Sequence, residues 1–229
     1  IVGVYREWKI PGQLAGNIIA KGMPLMVNEI LWAAGTAALN QCYSMRGLEA
    51  VAALNISSTI SNLFNIVFMA MGSAISIIVG QLLGAGKMEE ARDTDTKLIA
   101  FSVFSCLVLG GIMFLASPFF PRLYNTTDTV RTLAMRLLQV AACCMPIWAF
   151  MHSTYFTLRT GGKTIVTFLF DSVFLWAVTT PVAFVLSRYT GLPIIPLYLS
   201  CQLLDLIKCA IGFVLVKKGV WVNNIVAAD

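Results

Sequence analysis

The chain is poor in charged residues. Only 12% of its 229 residues are Asp, Glu, Lys or Arg, about half the fraction in ordinary soluble domains. So few charges cannot cover a soluble globule of this length. The 58% hydrophobic content also excludes a disordered chain, which is polar and highly charged. The basic excess, 16 Lys and Arg against 11 Asp and Glu, lies between long apolar runs and favours a membrane surface over nucleic acid. We predict an integral membrane protein.

The sequence also lacks the motifs of enzymatic and metal chemistry. It has one histidine, no Cys-x-x-Cys pair, and neither His-Glu-x-x-His nor Gly-x-Ser-x-Gly. The glycine-rich residues 80–88 depart from the spacing of a phosphate-binding loop and end in Met where a magnesium-binding hydroxyl is needed. All six cysteines lie in or beside apolar runs, where they commonly act as small packing residues. We therefore predict no enzyme activity, no metal site and no cofactor.

Six charge-poor runs are long enough to cross a bilayer, which takes about 20 residues of α-helix. They do not show the strict alternation of apolar and polar residues that membrane-spanning strands have. We therefore predict an all-α bundle of six transmembrane helices. The predicted spans are residues 22–45, 50–80, 98–116, 132–158, 164–187 and 193–216, between an amphipathic linker at 1–21 and a tail at 217–229.

Basic residues between the spans indicate how the bundle is oriented. Ten Lys and Arg fall on the side that holds both ends of the chain, against five on the other side. Because cytoplasmic loops carry the excess of basic residues, we expect both ends to be cytoplasmic. The expected partner is the lipid bilayer, and no nucleic-acid partner is expected.

Ionisable residues inside the spans are functional candidates because a charge within the bilayer is costly. The candidates for binding a proton or a small cation are Glu29, His152, Asp171 and Asp205. Each has a structural alternative: Glu29 can reach the cytoplasmic end of its span, a lone His152 is commonly a packing residue, and Asp171 can anchor its helix. Asp205 precedes Lys208 by three residues, so the two can neutralise each other on one helix face.

Two stripes of polar side chains at helical spacing predict a water-filled cavity. One lies on a face of the first span, and the other repeats at i, i+3, i+7 and i+10 in the second. Hydrogen bonding between helices, worth about 0.6–2 kcal/mol per contact, is the alternative explanation. The cavity-lining candidates are Trp32, Thr36 and Asn40 in the first span and Asn55, Ser58, Asn62 and Asn65 in the second.

Several passages resemble the multidrug and toxin extrusion (MATE) family. They are GMPLMVNEILWAAGTAAL at residues 22–39, GSAISIIVGQLLGAGKMEEAR at 72–92, and LRTGGKT at 158–164 together with the tail KKGVWVNN at 217–224. Their order and spacing extend over nearly the whole chain, and they are most similar to bacterial members of the Firmicute type.

The resemblance implies the C-terminal half of a transporter that has twelve spans in two six-helix lobes. Residues 1–21 would be the linker between the lobes, and the N-terminal lobe would be the missing partner. Such a transporter exports organic cations or drugs across the bacterial plasma membrane by alternating access, driven by Na⁺ or H⁺. One branch of the family has a cation-binding acid in the first span of this lobe and another in the fourth. Glu29 lies about one turn from the first position, and His152 is the ionisable group of the fourth span.

Two other functions remain open from the sequence. A flippase for lipid-linked precursors shares the two-lobe plan but needs a cluster of Arg or Lys to hold a phosphate. Lys208 is the one basic residue that we expect inside the membrane, because Arg136, near the start of the fourth span, is counted with the outer side. The other function is a non-transporting scaffold of half size. Six further spans encoded upstream of residue 1 would favour the exporter, and a start codon near residue 1 would favour the scaffold.

Overall fold

The computed structural model describes residues 12–223, and these residues are almost entirely helical. Residues 1–11 of the predicted linker and 224–229 of the predicted tail lie outside the described range. We number the six long helices α1 to α6 in chain order. They are α1 Gly12–Ser44, α2 Leu48–Gly84, α3 Met88–Ala116, α4 Asp128–Thr160, α5 Ile165–Tyr189 and α6 Ile194–Lys217.

Five of these helices, α2 to α6, are long and apolar enough to cross a membrane. This confirms the predicted fold class, an all-α integral membrane protein. The 33-residue α1 also has sufficient length, and it contains polar residues such as Asn28 and Glu29. It begins at Gly12, ten residues before the predicted first span, so residues 12–21 continue that helix. Every predicted span lies within one of the six helices to within one residue.

Most of the helices are connected by turns of three or four residues, and a longer segment, 117–127, precedes α4. After α2, Gly86 adopts a φ of +74°, which lets the chain reverse. The Lys87 N–H then donates to the Leu82 carbonyl at 3.0 Å, as in a Schellman motif. At the start of α4, the Thr127 hydroxyl accepts from the Val130 N–H at 3.4 Å and caps the helix.

The central helix of the bundle is α4. Of its most apolar 18 residues, 44% are buried, against 17–28% in the other four membrane-spanning candidates. Pro146 lies inside α4 and has no N–H, so the Ala142 carbonyl loses its usual helical donor. Gly110 of α3 lies against that carbonyl, and a Cβ there would be only 2.6 Å from the oxygen. The glycine therefore allows α3 to approach α4 closely at the proline.

Two apolar cores occupy opposite ends of the bundle. The larger, at the predicted outer end, includes Ile60, Leu137 and Met145. The smaller, at the predicted cytoplasmic end, includes Val79 and Leu158. Between the cores, residues 65–69 of α2 and 148–159 of α4 surround a cavity.

Helix α5 is irregular where it faces this cavity. The chain is α-helical over Thr164–Phe168, where α5 begins, but Leu169–Val173 and Leu175–Thr179 are wider π-helical turns. Pro181 follows and cannot donate to the turn before it. π-helical turns are rare and frequently occur at functional sites.

Candidate functional site

A cavity of about 360 Å³ lies inside the bundle, bounded by five of the six helices. This is within the usual range for small-molecule pockets. Among the described residues, α3 contributes nothing to its wall. The ionisable groups that line the cavity are Glu29, His152, Arg159, Asp171, Asp205 and Lys208.

Asp171 is held at the cavity by Asn28 of α1. The Asn28 side-chain amide donates to the Asp171 carboxylate at 3.4 Å, and Asn28 is 3% exposed. The Ser172 hydroxyl completes the link, at 2.6 Å from Asn28 Oδ1 and 3.0 Å from the Asn28 carbonyl oxygen. Asp171 lies in the first π-helical segment of α5. An amide of α1 and an irregular turn of α5 together determine where this carboxylate lies.

Asp205 and Lys208 form an ion pair within α6, with 3.0 Å between Lys208 Nζ and Asp205 Oδ1. Their side chains are only 14% and 9% exposed. The ammonium also lies 5.1 Å from the centroid of the Phe174 ring, which adds a cation–π contact. One cavity carboxylate therefore already has a cation supplied by the chain.

His152 packs against an aromatic ring. Its imidazole centroid is 4.8 Å from that of Phe68, with 32° between the ring planes. Other aromatic side chains complete the wall and expose faces that attract cations. They are Trp32, Tyr43, Trp148, Tyr155, Phe156 and Phe170.

Three buried polar atoms of the wall have no hydrogen-bond partner among the described residues. They are Tyr43 Oη, Asn65 Oδ1 and Thr179 Oγ1. All three residues line the cavity. Because an unpaired buried oxygen is costly, these atoms favour a polar occupant of the cavity over a purely apolar one.

Within residues 12–223, no group of three or more His, Cys, Asp or Glu side chains is close enough to hold a metal ion.

The structure brings together most of the predicted site residues. These seven line the cavity: Glu29, Trp32, Thr36, Asn65, His152, Asp171 and Asp205. Four others do not line it and are exposed in this chain: Asn40, Asn55, Ser58 and Asn62. The i, i+3 spacing of Asp205 and Lys208 indicated their contact, and the structure has it. The ion-binding and proton-binding roles themselves stay predictions.

Sequence reasoning missed Asn28, Arg159 and the aromatic lining of α4. Asn28 stands beside Glu29 in the passage that carries the resemblance, but nothing local shows that it reaches Asp171, 143 residues away. Arg159 follows the last apolar residue of the predicted span 132–158, so the sequence pattern predicts that it lies at the cytoplasmic surface.

Comparisons with known proteins agree with one another. The family model described as MatE matches residues 24–185. The probable multidrug resistance protein YoeA of Bacillus subtilis (strain 168) is 24% identical over 201 residues, which are 86% of this chain and 42% of that protein. The chain thus spans less than half the length of that relative.

Solved structures share the fold. The inward-facing conformation of a multidrug resistance MATE family transporter of the MOP superfamily has a TM-score of 0.82 at 14% identity, covering 97% of this chain and 52% of that one. The outward-facing conformation of such a transporter has a TM-score of 0.80 at 14% identity, with 94% and 48% covered. A MOP-superfamily transporter from Pyrococcus furiosus Vc1 has a TM-score of 0.80 at 16% identity, with 91% and 46% covered.

The family model matches most of the chain, and the six-helix bundle has the fold of the solved transporters. These findings lead to one assignment. The chain belongs to the MATE family of multi-pass membrane transporters.

Proposed function

We propose that this chain forms the C-terminal lobe of a multidrug exporter that exchanges organic cations for Na⁺ or H⁺ by alternating access. The observation that carries the proposal is the intramembrane cavity, in which Glu29, Asp171 and Asp205 face aromatic side chains. Carboxylates and aromatic faces are the groups that attract cationic ligands. The inward-facing and outward-facing relatives of the same fold support alternating access.

The carboxylates have different parts in this proposal. Asp205 is already paired with Lys208 at 3.0 Å, so Glu29 and Asp171 are the groups available to an incoming cation. Glu29 is exposed and Asp171 is partly buried beside Asn28. The export cycle would have the coupling ion and the drug compete for these two side chains. A flippase needs a cluster of free cations for a phosphate. Two basic residues line the cavity, and of these Lys208 is bound to Asp205, which leaves Arg159 as a single basic group among the described residues.

A second lobe is part of the proposal, with an N-terminal six-helix bundle as the partner. Asn55, Ser58 and Asn62 are exposed on α2 although α2 is a membrane-spanning candidate. Polar side chains of a membrane helix normally face protein or water and not lipid. Their exposure supports a partner surface or a shared aqueous space along α2. We place the protein in the bacterial plasma membrane with both ends of this chain cytoplasmic, following the basic residues.

The test uses the natural full-length protein reconstituted in vesicles. Efflux of ethidium, an organic cation, is measured under an imposed Na⁺ or H⁺ gradient. The gradient that drives efflux identifies the coupling ion. We expect Glu29→Gln and Asp171→Asn each to lower the initial rate at least about tenfold, the size expected when about 1.4 kcal/mol of interaction is lost.

The matched control is Glu49→Gln, which removes the same charge from an exposed first turn of α2 outside the cavity. It should change the rate by less than about twofold, since isolated surface substitutions have small effects. Undiminished efflux by both cavity variants would overturn the proposal.

A further inference from the structure

A second cavity lies on the outside of the bundle, between α3 and α6. Its volume is about 760 Å³, and it shares no lining residue with the central cavity. Its wall is apolar along most of its length. The rings of Phe104 and Phe213 and the Leu107 side chain are 64%, 54% and 58% exposed. These exposed residues are apolar, in contrast to the polar stripe on α2, so this face of the lobe suits contact with lipid.

One end of this groove is cationic. Arg92 and Lys217 line it there, and both are exposed. Among the described residues neither has a carboxylate within ion-pair distance, whereas Lys87 and Lys97 of the same region are paired with Glu90 and Asp93. The groove therefore presents two cations whose charge the described part of the chain leaves uncompensated.

Folding of the segment after α6 helps to position these cations. Gly219 has a φ of +67° and lies against the Arg92 guanidinium, so that a Cβ there would be 2.6 Å from an Arg92 nitrogen. Trp221 is 1% exposed, lines the groove and donates its indole N–H to the Val216 carbonyl at 3.2 Å. Arg92 is thereby packed against a turn that the buried Trp221 holds in place.

The acidic residue in the groove wall is turned away from its mouth. Asp95 is 0% exposed and accepts a hydrogen bond from the Thr157 hydroxyl of α4 at 2.6 Å. Its second oxygen, Oδ2, is also buried, without a partner among the described residues. The Asp95 carboxylate is therefore buried beneath the groove surface, whereas Arg92 and Lys217 are exposed on it.

The length of the groove matches one leaflet of a bilayer. From Arg92 to Leu107, α3 rises about 22 Å at 1.5 Å per residue. One leaflet, headgroups included, is about 20–22 Å thick. Basic pockets between membrane helices are known to bind acidic lipid headgroups. We propose that the groove binds an anionic phospholipid, with its phosphate at Arg92 and Lys217 and its acyl chains along Phe104, Leu107 and Phe213.

Native mass spectrometry of the natural full-length protein tests this proposal. The purified protein is offered equal amounts of dioleoyl phosphatidylglycerol and dioleoyl phosphatidylcholine, and the retained lipids are counted. Wild type should prefer phosphatidylglycerol. The double variant Arg92→Gln/Lys217→Gln should lower that preference about 30-fold, since each basic side chain near a lipid surface contributes about a fivefold step.

The matched control is Lys87→Gln/Lys97→Gln, which removes the same charge from the same end of the bundle. Both of its lysines are paired with acids and neither lines the groove, so the preference should persist. Equal loss in both double variants would overturn the proposal by showing only a general charge effect. An unchanged preference in Arg92→Gln/Lys217→Gln would also overturn it.

Two further experiments test whether the ligand is a lipid with acyl chains in the groove. Ala100→Trp fills the groove without a change of charge, since Ala100 is exposed and lines it. It should reduce the retained phosphatidylglycerol at least about threefold. Unchanged retention would contradict the proposal that the lipid binds in this groove. Soluble glycerol phosphate should not displace the lipid at equal concentration. Displacement would show that a free phosphate is the ligand and would overturn the lipid assignment.

Discussion

The basic side chains of the central cavity and of the α3–α6 groove differ in whether an acidic side chain is paired with them. In the cavity, Lys208 is compensated by Asp205 at 3.0 Å, with both side chains largely buried. In the groove, Arg92 and Lys217 are exposed and have no carboxylate partner within residues 12–223, and the nearby Asp95 is buried beneath them. Lys208 is buried, where an unpaired ammonium would lower stability, and Asp205 is its partner. At the surface a charge is tolerated unpaired and is available to a ligand.

The largest expected difference between the two regions concerns their lysines. Lys208→Met should lower the free energy of unfolding by about 3–5 kcal/mol, because it leaves Asp205 buried without its cation. Lys217→Met should change it by less than about 0.5 kcal/mol, because Lys217 is exposed. Denaturant unfolding of the purified full-length protein measures both.

The double variant Lys208→Met/Asp205→Asn removes both charges and should recover most of the loss. If Lys208→Met and Lys217→Met destabilise equally, the contrast between a compensated interior and an open surface is wrong.

A smaller effect is expected where the groove is anchored. Gly161 at the end of α4 lies against the Trp221 backbone, and a Cβ would collide with its carbonyl. Gly161→Ala should therefore displace the turn that carries Trp221, at a loss of about 1–3 kcal/mol. It should weaken lipid retention but leave ethidium affinity within about twofold, because Trp221 does not line the central cavity. Gly111→Ala is the control, since a Cβ there meets open space; the same loss in both would contradict this account.

The hydrogen bonds between α1 and α5 should contribute somewhat less to the free energy of unfolding than the Gly161–Trp221 contact. Asn28→Ala removes the partner of Asp171 and of Ser172, and we expect a loss of about 1–2 kcal/mol on thermal unfolding. Asn125→Ala, in an exposed loop before α4, should be neutral. A neutral Asn28→Ala would mean that the amide does not hold α1 against α5.

The smallest expected effect on stability is that of Glu29→Gln. Glu29 is exposed at the cavity, so the free energy of unfolding should change by less than about 0.5 kcal/mol. Transport should nevertheless fall, as proposed above. A large loss of stability would assign Glu29 a structural role and remove it from the exchange site.

Much of the fold could be predicted from local sequence features. Residues 50–86 contain no charged residue and end in several glycines, a pattern that predicts one long helix followed by a turn. Helix α2 runs from Leu48 to Gly84, and the chain turns at Gly86. Membrane length and the absence of charge determine such a helix because backbone groups in lipid must be paired internally. The pairing of Asp205 with Lys208 was predictable for a similar reason, since both residues lie on one helix face.

The position of each helix face was less predictable. The periodicity of Asn55, Ser58, Asn62 and Asn65 predicted a single polar stripe, but only Asn65 lines the cavity. A periodic pattern shows which side chains share a face and not which neighbour that face meets. The rotation of α2 is set by its packing against α4, through buried residues such as Ile60 and Ile75.

By itself, the sequence determined that this protein is a bundle of membrane helices with a few charges inside it, because long apolar runs have only that stable form in a bilayer. Only the tertiary structure decided which charges meet. It brings Asn28 to Asp171 across 143 residues and turns Asp95 inward, below the exposed Arg92 and Lys217. These contacts depend on how whole helices pack and rotate against one another, which no local pattern of residues specifies.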